Sequence, residues 1–239
     1  MKALSNRINF CHMTEEEIKP HIASLQTKYP QITLEITANL SLLSINVKGK
    51  GDIEAVIEAL HALKPTHVFP SENGSIEEAI HHELIARKET LAVAESCTGG
   101  LISTMITKQV GASEYFLAGL TTYSNLAKHS VLGVSEQLLE KQGAVNELVA
   151  QEMVKGLYQV TNATWLLSVT GVAGPTGGTE EKPVGTIYSA IGYKNEEIIS
   201  GQVLTKKHLP RDVNIKRTAN WILGALWRKM MFNENVFND

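Results

Sequence analysis

The sequence predicts an α/β protein: a layered domain with a mainly parallel sheet, preceded by a small α/β domain. Three observations lead there. Windows with apolar residues at helical spacing alternate along the chain with short apolar or strictly alternating runs. A polar, turn-rich stretch, Pro70-Ser71-Glu72-Asn73-Gly74-Ser75, interrupts that pattern and divides residues 1–70 from residues 75–235. The chain has 239 residues, 43 % hydrophobic and 20 % charged, which leaves room for one large domain with a small companion.

In the first domain, Thr14 followed by Glu17 forms a capping-box pattern, and Ile18, Ile22 and Leu25 recur behind it, so a helix is expected up to Tyr29-Pro30. Two strands follow, Ile32 to Thr37 and Leu42 to Val47, with a turn at Ala38-Asn39. A second helix starts at Asp52, carries Ile53, Val56, Ile57, Leu60 and Leu63 on one face, and stops at Lys64-Pro65; His67 to Phe69 reads as a third strand. In the second domain the predicted helices are Ile76 to Arg87, Leu101 to Val110, Asn146 to Thr161 and Asp212 to Phe232. The predicted strands are Thr90 to Ala94, Trp165 to Val169, Thr186 to Ile191 and Ile198 to Leu204, with the last two close enough for an antiparallel hairpin.

Composition excludes several classes of function. Balancing 22 Lys and Arg against 25 Asp and Glu gives a net charge of −3, which creates no field for a polyanion, so nucleic-acid binding is not expected. Cys11 and Cys97 are far apart and form no C-x-x-C pair, which points to a reducing cytoplasm rather than a disulfide framework or zinc ribbon. The N-terminus, Met1 to Cys11, has no apolar run long enough for a signal-peptide core, and no stretch approaches a membrane span of about 18 residues. The only aspartates are Asp52, Asp212 and Asp239, so Asp-pair chemistry and Asp-clustered magnesium sites are not expected.

Three stretches carry chemistry. Ala94-Glu95-Ser96-Cys97-Thr98-Gly99-Gly100 joins a strand to a helix, and its small residues make Ser96, Thr98 and Gly99 candidates for contacting a ligand, with a phosphate at the helix N-terminus. A tight turn closed by a Ser or Thr cap explains the same residues. Gly174 to Thr186 follows the strand that ends at Thr170-Gly171, at the strand end where α/β folds place ligands; it lacks the Gly-Lys-Ser/Thr of a P-loop.

The third stretch contains Ser113 and, after Thr122-Tyr123-Ser124-Asn125, Lys128. Ser124 or Asn125 is a natural N-cap, which puts Lys128 in the first turn of the helix it opens. A lysine becomes a base near neutral pH only if burial and the positive helix end disfavour its ammonium form. It then needs a hydroxyl to activate, and spacing does not choose among Ser96, Ser113, Tyr123 and Ser124. Two further features are decoys. His81-His82-Glu83 lacks the second histidine of a zinc-protease motif, since Ala86 stands there, and is expected on a helix surface. Cys97 fits packing better than nucleophilic chemistry.

Together with Gly143-Ala144-Val145, Thr170 to Pro175 and Lys182 to Thr186, the 94–100 and 122–128 blocks resemble the CinA C-terminal family over about residues 75–230. The first 70 residues are similar to the KH-like middle domain of longer CinA proteins. The resemblance implies a layered amidase domain that hydrolyses the carboxamide of nicotinamide mononucleotide to nicotinate mononucleotide and ammonia. It implies Ser113 as nucleophile, Lys128 as general base and Tyr123 assisting proton transfer, with Ser96, Thr170, Gly171 and Arg211 lining the site. A cytoplasmic homo-oligomer without cofactor is expected. The chain departs from the family pattern at Gly111-Ala112-Ser113 and Asn146, and it lacks a glycine before Arg211-Asp212. The alternative is a non-catalytic member that assists DNA uptake or recombination through partners.

Overall fold

A computed structural model describes residues 6–194, 196–203 and 209–238. Leu204, the end of the last predicted strand, and residues 1–5 of the first predicted domain lie outside the described residues.

The first sheet is built from β1 (Arg7–Cys11), β2 (Ile32–Asn39), β3 (Leu42–Gly49) and β4 (Val68–Phe69), in the order β2-β3-β1-β4. Alternation sets its faces. Ile8, Phe10, Leu43, Ile45 and Val47 pack under two helices, α1 (Glu15–Lys28) and α2 (Ile53–Leu63), against Ile18, Ile22, Val56 and Leu60. The Thr14–Glu17 capping box forms as expected, and the Asp52 side chain caps α2. The turn after β2 comes later than predicted. Strand pairing continues to Asn39↔Leu42, so only Leu40 and Ser41 make the turn, both with positive φ, as a two-residue hairpin requires.

In the second sheet, β5 (Leu91–Glu95), β6 (Phe116–Thr121), β7 (Trp165–Gly171), β8 (Ile187–Tyr193) and β9 (Glu197–Val203) lie in the order β6-β5-β7-β8-β9. Pairing is parallel for β5 with β6 and β7, and antiparallel for β7–β8 and β8–β9, so four strands run one way and β8 alone opposes them. The predicted hairpin is present. The sheet is covered on both sides, which explains why every residue of β5 is buried. Leu91 and Val93 face α3 (Ile76–Arg87), α4 (Leu101–Thr107) and α8 (Arg211–Phe232), while Ala92 and Ala94 face α7 (Glu147–Thr161). Two short helices, α5 (Asn125–Leu132) and α6 (Glu136–Gln142), complete that second side.

The second face of the first sheet rests on α8. Cys11, Leu42 and Phe69 share a core with Trp221, Leu223 and Trp227, and the Trp227 Nε1–H donates to the Val68 carbonyl at 2.9 Å. Contact is close at Gly224, where a Cβ would stand 2.8 Å from the Cβ of Cys11. No described helix is long and apolar enough to cross a membrane.

Candidate active site

The centre of the site is the turn that follows β5. β5 sends its chain to β6 on one side while β7 lies on the other, so the carboxyl end of β5 is the point where strand order reverses and where open α/β sheets hold ligands. Ser96 extends the pairing by one step, donating its N–H to the Val169 carbonyl at 3.0 Å. Glu95 then shapes the turn. Its fully buried carboxylate accepts from the N–H groups of Gly100 (3.1 Å), Ile102 (3.0 Å) and Ser103 (2.8 Å) and from the Ser103 hydroxyl (2.7 Å). Gly100 at the helix cap has no side chain to do this, so Glu95 replaces it. Gly119 on the neighbouring strand leaves room: a Cβ there would meet the Ser103 Oγ at 2.1 Å.

Lys128 reaches the same turn from α5. The Ser124 hydroxyl caps that helix by accepting from the Ala127 N–H, which commits Ser124 to structure. The Lys128 side chain is fully buried, and Nζ lies 2.8 Å from the Ser96 Oγ, 2.8 Å from the Thr122 carbonyl and 3.4 Å from the Tyr123 carbonyl. No carboxylate pairs with it among the described residues. Burial therefore dominates and pulls its pKa down to about 8, while the nearby Cys97 thiol opposes this weakly. A neutral amine in this position has two N–H groups for the two carbonyls and directs its lone pair at the Ser96 hydroxyl.

Other predicted residues gather around this pair. Thr170 and Gly171 end β7 beside the turn; the Thr170 hydroxyl donates to the Ala144 carbonyl at 2.8 Å, tying the 143–145 segment to the strand. Gly171 is required by contact, because a Cβ would stand 2.8 Å from the Thr186 carbonyl oxygen. Arg211 opens α8 and donates to the Gly174 carbonyl (2.7 Å) and to the Tyr123 hydroxyl (2.9 Å). Tyr123 thus offers Lys128 its carbonyl, while its exposed ring is held by Arg211. The Thr98 and Thr122 hydroxyls are buried without hydrogen-bond partners. The N–H groups of Cys97 and Thr98, directly after Ser96, have no backbone or carboxylate acceptor among the described residues.

Three expectations are corrected by this geometry. The hydroxyl that meets Lys128 belongs to Ser96 and not to Ser113. Ser113 sits in an exposed turn before β6, lining a shallow cavity of about 460 Å³ with Thr107, Val110 and Phe116, whereas Lys128 lies beyond the other end of that strand. Six strand residues at about 3.3 Å each put roughly 20 Å between the two ends. The expected phosphate site at the start of α4 is filled by the protein itself, since Glu95 occupies the N–H groups and brings negative charge to them. His81 is buried against the Tyr115 hydroxyl rather than lying on a helix surface. Cys97 packs in the core, and burial pushes its thiol up to about 12, too high for a nucleophile.

Glu95 and Thr122 were missed as site residues. The signal for Glu95 was present: a charged residue at the end of an otherwise apolar strand, just before a turn rich in small residues.

Among known proteins, the family model for the CinA C-terminal domain matches residues 73–230. A CinA-like protein of Prochlorococcus marinus (strain MIT 9515) is 35% identical over 204 residues, covering 81% of this chain and 46% of that relative. A CinA-like protein of Thermotoga maritima is 42% identical over 156 residues, covering 65% and 38%. The chain thus spans less than half the length of these curated relatives. Of solved structures, the competence damage-inducible protein A from Klebsiella pneumoniae superposes with a TM-score of 0.63 at 28% identity, over 66% of this chain and 97% of that one. The competence/damage inducible protein CihA from Agrobacterium tumefaciens superposes at 0.62 and 31% identity, over 70% and 98%.

Proposed function

From the premise that this chain belongs to the CinA family, we propose that it is an amidohydrolase with a Ser96–Lys128 pair and that its substrate is nicotinamide mononucleotide. One observation carries the reading: a fully buried lysine, without a carboxylate partner, within hydrogen-bond distance of a serine hydroxyl at the ligand-binding end of the sheet. For a purely structural lysine the hydrogen bonds to Ser96, Thr122 and Tyr123 would have to offset the cost of burying an ammonium without a counter-charge.

The chemistry follows from the donors present. Neutral Lys128 takes the Ser96 proton as Oγ attacks the carboxamide carbon, and the negative charge moves to the former carbonyl oxygen. The N–H groups of Cys97 and Thr98, which have no backbone or carboxylate acceptor among the described residues, are the donors assigned to that oxygen, and each is worth about 3–4 kcal/mol in such a role. The C–N bond then breaks, the nitrogen leaves as ammonia with the proton from Lys128, and an ester on Ser96 remains. Lys128 next takes a proton from water, whose oxygen attacks the ester; nicotinate mononucleotide leaves and Ser96 regains its proton. With a pKa of about 8, about a tenth of Lys128 is neutral at pH 7.

The test is ammonia release and nicotinate mononucleotide formation from nicotinamide mononucleotide. Activity in the wild-type chain that disappears in Ser96→Ala supports the proposal. Activity that survives in Ser96→Ala refutes the nucleophile, and a wild-type chain that releases no ammonia refutes the substrate.

A further inference from the structure

One cavity among the described residues lies away from the Ser96–Lys128 pair. It has a volume of about 590 Å³ and opens where the first sheet meets α8, well inside the range of small-molecule sites. We propose that this cavity binds a small organic anion with a planar ring, of the nucleoside monophosphate class, through Arg217 and the aromatic wall beside it. This inference is independent of the amidohydrolase reading.

The polar groups of the wall point to an anion. Lys64 is paired with Glu17 at 2.8 Å and Arg228 with Glu234 at 2.7 Å, so the remaining lining cation is Arg217. Arg217 makes no ion pair among the described residues, and its Nε is shielded from solvent without a hydrogen-bond partner. The Ser41 hydroxyl, also on the wall, is shielded and unpartnered too. Both residues line this one cavity, and a guanidinium fork suits a phosphate or carboxylate. Burial also lowers the pKa of Arg217, the direction an anion would reverse.

The rest of the wall points to a ring. Trp221 stacks on His12 at 4.5 Å between centroids and meets Phe237 at 5.7 Å, so aromatic surface stands beside the cation. An inorganic phosphate would leave most of the volume empty. His12 also lines the cavity with positive φ, a conformation that costs non-glycine residues energy and recurs at ligand sites. Arg217 is six residues along α8 from Arg211, a rise of about 9 Å, so one helix carries both this cavity and the edge of the Ser96–Lys128 site.

Calorimetric titration of the full chain with adenosine monophosphate, adenosine and inorganic phosphate tests the proposal. The expected result is binding of the monophosphate that weakens at least about tenfold in Arg217→Met, and at least about tenfold when either the phosphate or the ring is missing from the probe. Lys128→Met is expected to bind the monophosphate as the wild type does. Photolabelling of the wild-type chain with 8-azidoadenosine monophosphate needs no variant and is expected to mark peptides within 211–238 or around His12. No monophosphate binding, binding indifferent to Arg217→Met in a folded variant, or label confined to peptides outside the cavity overturns it.

Discussion

Ser96 and Ser113 lie at opposite ends of the same parallel strands, and their surroundings differ in every respect that matters for chemistry. Ser96 follows a strand, is buried, and has an amine at 2.8 Å; Ser113 precedes a strand, is exposed, and lines a shallow surface hollow. Residue type is the same in both cases. The difference in partners comes from the end of the sheet on which a hydroxyl falls, because strand carboxyl ends bring together the turns that hold partners for it.

The contrast is broken most strongly at Lys128. Lys128→Met is expected to lower kcat for amide hydrolysis about a thousandfold, the usual scale for a general base, and steady-state ammonia release checks it. Glu95→Gln is next. A glutamine cannot accept all four hydrogen bonds of the carboxylate, so about 2–3 kcal/mol of stability is lost in a denaturant titration, and kcat falls about ten- to a hundredfold as Ser96 shifts.

A smaller effect comes from pH. Since only neutral Lys128 accepts a proton, kcat/KM is expected to rise with a midpoint near pH 8 and to stand about tenfold below its plateau at pH 7. The stability sign follows from the same shift. Between pH 8 and about 10.5 the unfolded chain holds the Lys128 proton more tightly than the folded one, so folding becomes more favourable as pH rises through that window. Relative to Lys128→Met, the wild type is expected to gain up to about 3 kcal/mol there, measured as the difference between two urea titration series. The smallest effect belongs to Ser113→Ala: activity within about twofold and stability within about 0.5 kcal/mol of wild type. A large loss in that variant would reverse the contrast between the two ends.

Much of the fold was legible because its strongest patterns are periodic. The helices 76–87, 146–161 and 212–232 and the hairpin near 187–203 follow from apolar spacing alone. Phe116–Thr121 did not, because this edge strand is half exposed and carries Gly119 in its middle, both of which weaken a strand pattern. Ser113 was named from the family resemblance, since spacing left Ser96, Ser113, Tyr123 and Ser124 open. Without β6, nothing in the spacing showed that Ser113 and Lys128 stand at its two ends. The lysine itself was legible from its helix start after Ser124, whereas its partner depends on β5 and β6 being neighbours, a contact between segments 30 residues apart. Arg7–Cys11 and Glu136–Gln142 were missed as well, each being too short to show a period.

Gly224 makes the seam between the two halves depend on a missing methyl group. Any side chain there would act as a wedge against the side chains of Cys11 and His12, which would have to shift to admit it. The apolar core and the Trp227–Val68 hydrogen bond hold the two halves together, and Gly224 sets how closely they approach at this point.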